Sequence, residues 1–171
     1  MSDSGRFTLS YLAGISSYFD LHYFNGLLAI IYLSLTVALL VVLFDLKSKL
    51  SMFVLALLYV GFPTISGVLA YMFTADGYLL ANLLTTLAVF LLFKWDKKLW
   101  GLIGSIILVY IAIGTYQANL TYFITLVVVL FIRENLVEDK IQWKKYFLSV
   151  VSVVMGLLAY VLHFKIYEKI H

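Results

Sequence analysis

The stretch that decides the fold is residues 62–85, FPTISGVLAYMFTADGYLLANLLT. It lies inside a long apolar run whose only charged residue is Asp76. A charged carboxylate is costly at membrane depth, and an Asp-Gly pair favours a turn. We therefore predict that the chain emerges from the membrane at Asp76 and Gly77, turns there and re-enters, so that two spans meet at this point.

A break in the helix is predicted just upstream of this turn. Pro63 lies inside the apolar run, where it has no N–H to donate and its ring opposes the preceding helical turn. In a membrane the freed backbone groups need other partners, which nearby polar residues supply. We therefore expect the first of the two spans to be kinked or broken near Thr64, Ser66 and Gly67.

The composition defines the class of protein. Hydrophobic residues make up 64% of the 171 residues, and the mean hydropathy is +1.03, which is more apolar surface than a water-soluble fold can bury. The sequence therefore predicts an all-α, polytopic membrane helical bundle that forms a single transmembrane domain over residues 1–171. Cysteine is absent, which excludes disulfides and thiolate chemistry. The basic residues lie in short loops, so we expect membrane lipid and no nucleic acid as a partner.

The apolar segments predict about six transmembrane helices. Residues 1–24 carry aromatic side chains at helical spacing among Ser and Thr, and they lack the basic start and cleavage pattern of a signal peptide. We expect them to form an N-terminal amphipathic helix at the membrane interface. By length and apolarity, the spans lie at about residues 25–44, 50–73, 78–93, 99–113, 118–132 and 146–164.

The loop charges predict the orientation. Nine of the twelve Lys and Arg residues lie in residues 45–49, 94–98 and 133–145, whereas the turns on the opposite side of the membrane carry none. Because Lys and Arg near span ends favour the cytoplasmic side, we expect the basic loops inside and both termini outside. All three Trp residues adjoin these loops, as an aromatic belt at the inner interface requires.

A second informative stretch is residues 113–120, IGTYQANL, where polar residues interrupt an apolar run. Gln117 and Asn119 would be costly against lipid, so they face other helices or water. Either they hold a hairpin turn through interhelical hydrogen bonds or they belong to a site, and the residues alone leave both interpretations open. Any chemistry is expected at this end of the bundle, which it shares with Asp76.

The order of these elements resembles a known family. The segments SGRF (4–7), DLKSK (45–49), FPTISGVLAYMFTADGYLLA (62–81) and IGTYQANL (113–120) are separated by spans and loops. In this order the chain is similar to the bacterial serotype-converting membrane glucosyltransferases of the glucosyltransferase II type. Proteins of this type carry a segment close to FPxxxxxxxYxFTADxY and, after another span, a G-x-YQA element. The resemblance covers essentially the whole chain.

The resemblance implies an enzyme that takes glucose from a polyprenyl-phosphate donor on the outer face of the cell membrane and adds it to a cell-surface glycan. The motif positions that it carries over are Gly5, Arg6, Phe62, Pro63, Tyr71, Thr74, Asp76, Tyr78, Gly114, Tyr116 and Gln117. Arg6 is expected to pair with the donor phosphate. Asp76 is the candidate catalytic base, although an Asp before Gly is also an ordinary turn residue.

The remaining substrate-binding candidates that the resemblance implies are Tyr71, Thr74, Tyr78, Tyr116 and Gln117. No cofactor is expected beyond the lipid-linked sugar donor, which is a substrate. Metal dependence stays open, because the three His residues are scattered and no cluster of metal ligands is visible.

The resemblance also implies that catalytic carboxylates belong to an acidic loop ahead of the element that SGRF resembles. Since the chain begins at this element, we expect the preceding span and acidic loop to be missing. The chain would then be a fragment, a split gene product that works with a companion membrane subunit, or an inactive relative.

Two other functions fit the residues. A non-catalytic scaffold or assembly subunit needs only helix packing, for which Gly101 and Ser105 offer a small-residue face. A small transporter of lipid-linked sugars needs polar residues within the spans. These are limited to Ser, Thr, Asn82 and His163, which argues against an ion route.

Overall fold

The computed structural model of the protein describes residues 22–71, 74–95, 98–137 and 142–170. Within these ranges the secondary structure is helical and contains no strand, so the prediction of an all-α fold is confirmed for this part of the chain. Most of the predicted interfacial helix, with Arg6, lies outside the described residues. The helices, in chain order, are α1 (His22–Leu43), α2 (Lys49–Val60), α3 (Pro63–Ala70), α4 (Ala75–Lys94), α5 (Lys98–Thr115), α6 (Asn119–Val137) and α7 (Trp143–Ile170).

Most of these helices are suited to a membrane. By length and composition, four of them are able to cross one: α1, α4, α6 and α7. The α2–α3 pair passes the same test as one bent unit, which raises the number to five, and the apolar part of α5, Leu99–Thr115, is shorter. The described residues thus form a helical membrane protein with four or five candidate spans, where the sequence predicts about six.

The second predicted span is broken, and the break lies earlier than expected. α2 and α3 are separated by two residues and bent by 51°. Pro63 occupies the first turn of α3, where a missing N–H breaks no hydrogen bond, and Phe62 before it is extended, with ψ of 131°, as residues before proline prefer. The prediction of a broken span is confirmed, and the break lies just ahead of the polar cluster, because proline starts a helix more readily than it interrupts one.

α4 is the helix around which the bundle packs. In its most apolar stretch 56% of the residues are buried, against 28% for α1 and 22% for both α6 and α7. Towards its C-terminus it joins a core that includes Val89, Val109 and Phe123. Towards its N-terminus a second, smaller cluster joins α4 to α1 and α3, through Ala29, Leu33, Ile65, Ala75 and Leu79.

Small residues bring α5 close to its neighbours. A Cβ placed on Gly101 would lie 2.8 Å from the carbonyl oxygen of Leu91 in α4, so no larger residue fits without moving the backbone. One turn further on, Ser105 Oγ lies 2.7 Å from Ser152 Oγ of α7, and both serines are fully buried. The prediction of a small-residue packing face at Gly101 and Ser105 is confirmed.

With the bent α2–α3 pair counted as one unit, successive helices run in opposite directions and thereby define two ends of the bundle. Ring contacts join the residues of each end across different helices. We call one the polar end, which contains residues 74–78 and 115–119. We call the other the basic end, which contains residues 45–49, 92–95 and 142–145.

Candidate functional site

A short turn at the polar end joins α3 to α4. The N–H of Thr74 donates to the Tyr71 carbonyl at 3.0 Å, and the N–H of Tyr78 donates to the Thr74 carbonyl at 3.1 Å, so that Thr74 is the N-cap residue of α4. Thr74 is buried and Tyr71 is exposed. Tyr71 and Thr74, two of the predicted substrate-binding residues, therefore flank the turn, and the backbone of Thr74 caps the start of α4.

Asp76 does not lie at a turn. It occupies the first turn of α4, where the positive end of the helix dipole favours a carboxylate, and it is only 3% exposed. The chain turns earlier, ahead of Ala75, so the prediction of a turn at Asp76 and Gly77 is wrong. The turn preference of the Asp-Gly pair is outweighed by the helix start at Thr74 and by the packing of Ala75 against α1 and α3.

Asp76 and Tyr78 project from different sides of α4. Residues two apart on a helix are separated by about 200° around its axis. Tyr32 of α1 lies close enough to Asp76 for the two groups to interact electrostatically, whereas the ring of Tyr78 packs against that of Tyr116, with centroids 4.7 Å apart. The structure therefore brings Tyr78 and Tyr116 together and places Asp76 on a different side of α4 from this ring contact.

The IGTYQANL stretch forms the last residues of α5, the turn that follows and the first residues of α6. Asn119 donates twice to the Tyr116 carbonyl, from its backbone N–H at 3.0 Å and from Nδ2 at 3.2 Å, and Thr85 Oγ1 of α4 donates to Asn119 Oδ1 at 3.2 Å. Gln117 Nε2 donates to Tyr160 Oη of α7 at 2.8 Å. For Asn119 the hairpin interpretation is confirmed, since its amide joins the turn to α4.

A groove opens beside these residues, between the α2–α3 pair and α6, with α4 as its floor. Its volume is about 570 Å³, which lies within the range of typical small-molecule sites. Apolar side chains of α2, α3 and α6 alternate along it with phenol, hydroxyl and amide groups. The polar residues that line it are Tyr59, Thr64, Tyr78, Asn82, Tyr116, Asn119, Tyr122 and Thr125.

The groove extends well below the polar end. Its lining on α6 reaches from Asn119 to Val129, which at the helical rise corresponds to about 15 Å. That is roughly half the thickness of the hydrocarbon core of a bilayer. The groove therefore has a polar rim at Tyr78 and Tyr116 and an interior at a depth where lipid chains lie.

A chain of hydroxyl groups crosses the groove at mid-depth. Tyr122 Oη lies 3.0 Å from Thr86 Oγ1 of α4 and donates to Tyr59 Oη of α2 at 3.5 Å. Sequence reasoning missed these residues, because a tyrosine in an apolar segment does not stand out. One signal was present, since Tyr78, Asn82 and Thr86 recur every four residues and so share one face of α4.

Charged groups are scarce at this site. None of the carboxylates that the structure describes lines the groove. Among the same residues, no group of three or more His, Asp or Glu side chains could hold a metal ion. The groove as described offers hydrogen-bonding groups and apolar contact, and Gly5 and Arg6, which the resemblance places in the site, lie outside the described residues.

These features define a class: a helical membrane protein with a laterally open, amphipathic groove near one end of its bundle. The chain matches the family Glucosyl transferase GtrII over residues 1–171. It belongs to that family, and it is a glucosyltransferase-related membrane protein. The resemblance inferred from the order of its motifs is thereby confirmed. No protein with a curated description and no solved structure matches the chain.

Proposed function

We propose that the protein takes part in transferring glucose from a polyprenyl-phosphate donor to a cell-surface glycan, with its polar end on the extracytoplasmic side. The observation that carries this proposal is the groove, whose rim is formed by the predicted site residues Tyr78 and Tyr116. On this proposal the basic loops lie in the cytoplasm and both termini lie outside, as the distribution of Lys and Arg favours.

The groove suits a substrate that is polar at one end and apolar along its length. Its interior, with Leu58, Val68 and Val129, would contact the start of an isoprenoid chain, and its rim would place the phosphate and sugar at the membrane surface. Phenol and amide groups are suited to hydrogen bonds with sugar hydroxyls. A water-soluble substrate would not need a groove with apolar walls that extends about 15 Å from the polar end.

The transfer itself requires a base. A hydroxyl of the acceptor glycan attacks C1 of the glucose, the bond from C1 to the phosphate oxygen breaks, and polyprenyl phosphate leaves with the electron pair while the hydroxyl proton passes to the base. Asp76 is the proposed base. Arg6 is proposed to hold the donor phosphate, with Tyr71, Thr74 and Gln117 near the sugar.

A second candidate function is a non-catalytic subunit that binds the lipid-linked sugar. It is favoured by the position of Asp76, which is buried and does not line the groove, and by the absence of carboxylates from the described lining of the groove. In that case a companion membrane subunit would supply the catalytic carboxylates, and the groove would still hold the donor.

Two neighbouring valines on α6 test whether the groove holds the donor. Val129 lines it and Val128 does not, although their exposures of 42% and 48% are similar. We expect Val129→Trp to lower the glucose content of the surface glycan about tenfold, because the indole would obstruct the inner end of the groove, and Val128→Trp to leave it unchanged at equal membrane protein level. Full transfer by Val129→Trp would contradict the proposal.

Substitution of Asp76 distinguishes the two candidate functions, a glucosyltransferase and a non-catalytic donor-binding subunit. If Asp76 is the base, Asp76→Asn is expected to reduce glucose transfer by about 10²- to 10⁴-fold with the protein level unchanged. Asp45→Asn at the basic end is the matched control. Transfer that survives Asp76→Asn but is lost in Val129→Trp would identify the chain as the donor-binding subunit.

A further inference from the structure

A second cavity lies at the basic end, far from the groove. It has a volume of about 240 Å³ and is formed between the end of α4 and the start of α7. Its polar lining consists of Lys94, Trp95, Gln142, Lys144 and Lys145. Nothing in the proposed glucose transfer uses this pocket.

The pocket is strongly cationic. Three of its lining residues are lysines, and none of the described carboxylates lines it. Ammonium groups gathered around one concave surface repel each other unless an anion lies between them. The first turn of α7, which contributes Lys144 and Lys145, adds the positive end of a long helix dipole.

One of the lysines is held in place by aromatic rings. Lys145 Nζ lies 5.7 Å from the centroid of the Phe93 ring, a distance typical of a cation–π contact. Phe93 is buried and packs edge-on against Tyr146, with centroids 5.4 Å apart. The cationic side of the pocket therefore rests on the packed core, so its shape does not depend on surface side chains alone.

The pocket lies where phospholipid headgroups are expected. Trp95 and Trp143 flank it with exposures of 49% and 67%, and exposed indoles at the end of an apolar bundle mark the membrane interface. Leu92, Phe93 and Leu148 complete the lining. The cavity thus joins cationic groups to an apolar inner wall, which matches a phosphate attached to a glycerol and acyl chain better than a free anion.

We propose that this pocket binds the phosphate of an anionic phospholipid in the leaflet at the basic end. Basic pockets between membrane helices bind anionic headgroups in this way. The bound lipid would bridge the ends of α4 and α7, which already meet there through the rings of Phe93 and Tyr146. This site is independent of the groove and of the proposed glucose transfer.

The test is to count lipids bound to the full chain by native mass spectrometry after titration with phosphatidylglycerol or phosphatidylcholine. The wild-type protein is expected to bind phosphatidylglycerol more tightly than phosphatidylcholine. Lys94→Gln/Lys144→Gln should weaken phosphatidylglycerol binding about thirtyfold, and Lys144→Gln alone about fivefold, because each lysine near a lipid surface contributes a comparable share.

The matched control removes the same charge at the same end. Lys47→Gln/Lys49→Gln changes two exposed lysines outside the pocket, and its phosphatidylglycerol binding should stay within twofold of the wild type. Melting temperatures of all variants, measured in detergent without added lipid, establish that each is folded. If the double variant is not folded, the Lys144→Gln variant alone serves as the test of the pocket.

Three results would overturn the proposal. Equal losses in the pocket variant and the control would mean that the basic surface attracts lipid without a site. Equal binding of phosphatidylglycerol and phosphatidylcholine by the wild type would exclude recognition of the anionic headgroup. Displacement of phosphatidylglycerol by millimolar inorganic phosphate would assign the pocket to a soluble anion.

Discussion

α4 and the α2–α3 pair are both apolar, yet they pack in opposite ways. α4 buries residues along its whole length, whereas α2 has no buried residue and α3 has one, Ile65. The buried residues of α4 are mostly small, with Ala, Gly and Thr prominent, while α2 carries Leu, Phe, Met and Tyr. Since lipid tails are as apolar as leucine, close backbone approach rather than hydrophobicity decides which helix becomes central.

This difference produces the groove. The α2–α3 pair is bent by 51° just before Pro63, and bulky side chains of this pair, Leu55, Leu58 and Phe62, line the groove. The contact that reaches across at mid-depth is between the hydroxyls of Tyr122 and Tyr59. The tightly packed helix therefore supplies a rigid floor, and the loosely packed pair supplies a wall with an opening for lipid.

The largest expected effect compares one leucine in each region. Leu79 of α4 is 1% exposed and Leu58 of α2 is 67% exposed. Leu79→Ala should lower the free energy of unfolding by about 2–3 kcal/mol, because it leaves a cavity between packed helices, and Leu58→Ala should change it little. Unfolding by SDS in mixed micelles measures both. Equal losses would mean that the α2–α3 pair is packed as firmly as α4.

A smaller effect is expected from adding one methyl group to a glycine. Gly101→Ala should destabilise the protein by about 1–2 kcal/mol, since the new Cβ would meet the Leu91 carbonyl oxygen at 2.8 Å. Gly26→Ala is the control, because nothing lies within 4 Å of its added Cβ and alanine favours a helix. The same SDS titration applies. A neutral Gly101→Ala would show that α4 and α5 can separate freely.

The smallest expected effect on stability follows from removing the hydroxyl group of Thr85. Thr85 and Thr125 each donate to the carbonyl four residues earlier at 2.8 Å, but only Thr85 Oγ1 also reaches Asn119. Thr85→Val should cost about 0.6 kcal/mol, the average for a hydrogen bond between membrane helices. Thr125→Val should cost less, because Thr125 is exposed. A double-mutant cycle with Asn119→Ala isolates the bond, and a coupling energy of zero would remove its role in joining α4 to α6.

Several features of the fold were predictable because they depend on local chemistry. The apolar segments predicted the all-α membrane bundle, Pro63 predicted a broken helix, and Gly101 with Ser105 predicted close packing. The prediction that Asp76 lies at a turn was wrong, because the turn preference of Asp-Gly is weak compared with a helix start that buries Ala75. The position of one charged residue cannot be read without knowing which helix lies beside it.

The candidate site was predictable in part. The motif residues Tyr78 and Tyr116 are separated along the chain and in contact in the structure, as their assignment to one site requires. The separation of Asp76 from Tyr78 around α4 could also be inferred from their spacing once the helix start was known. Tyr59 and Tyr122 could not be found, because their importance comes from the helix that each one faces.

The sequence by itself determined the class of protein, its family and the chemistry available at each end, since these depend on which residues are present and in what order. Only the tertiary structure decided that α4 is the centre, that Asp76 is buried in its first turn, and that a groove separates α2 and α3 from α6. The physical reason is that apolar helices are interchangeable in their affinity for lipid, so their arrangement depends on small residues and buried hydrogen bonds between partners distant in the chain.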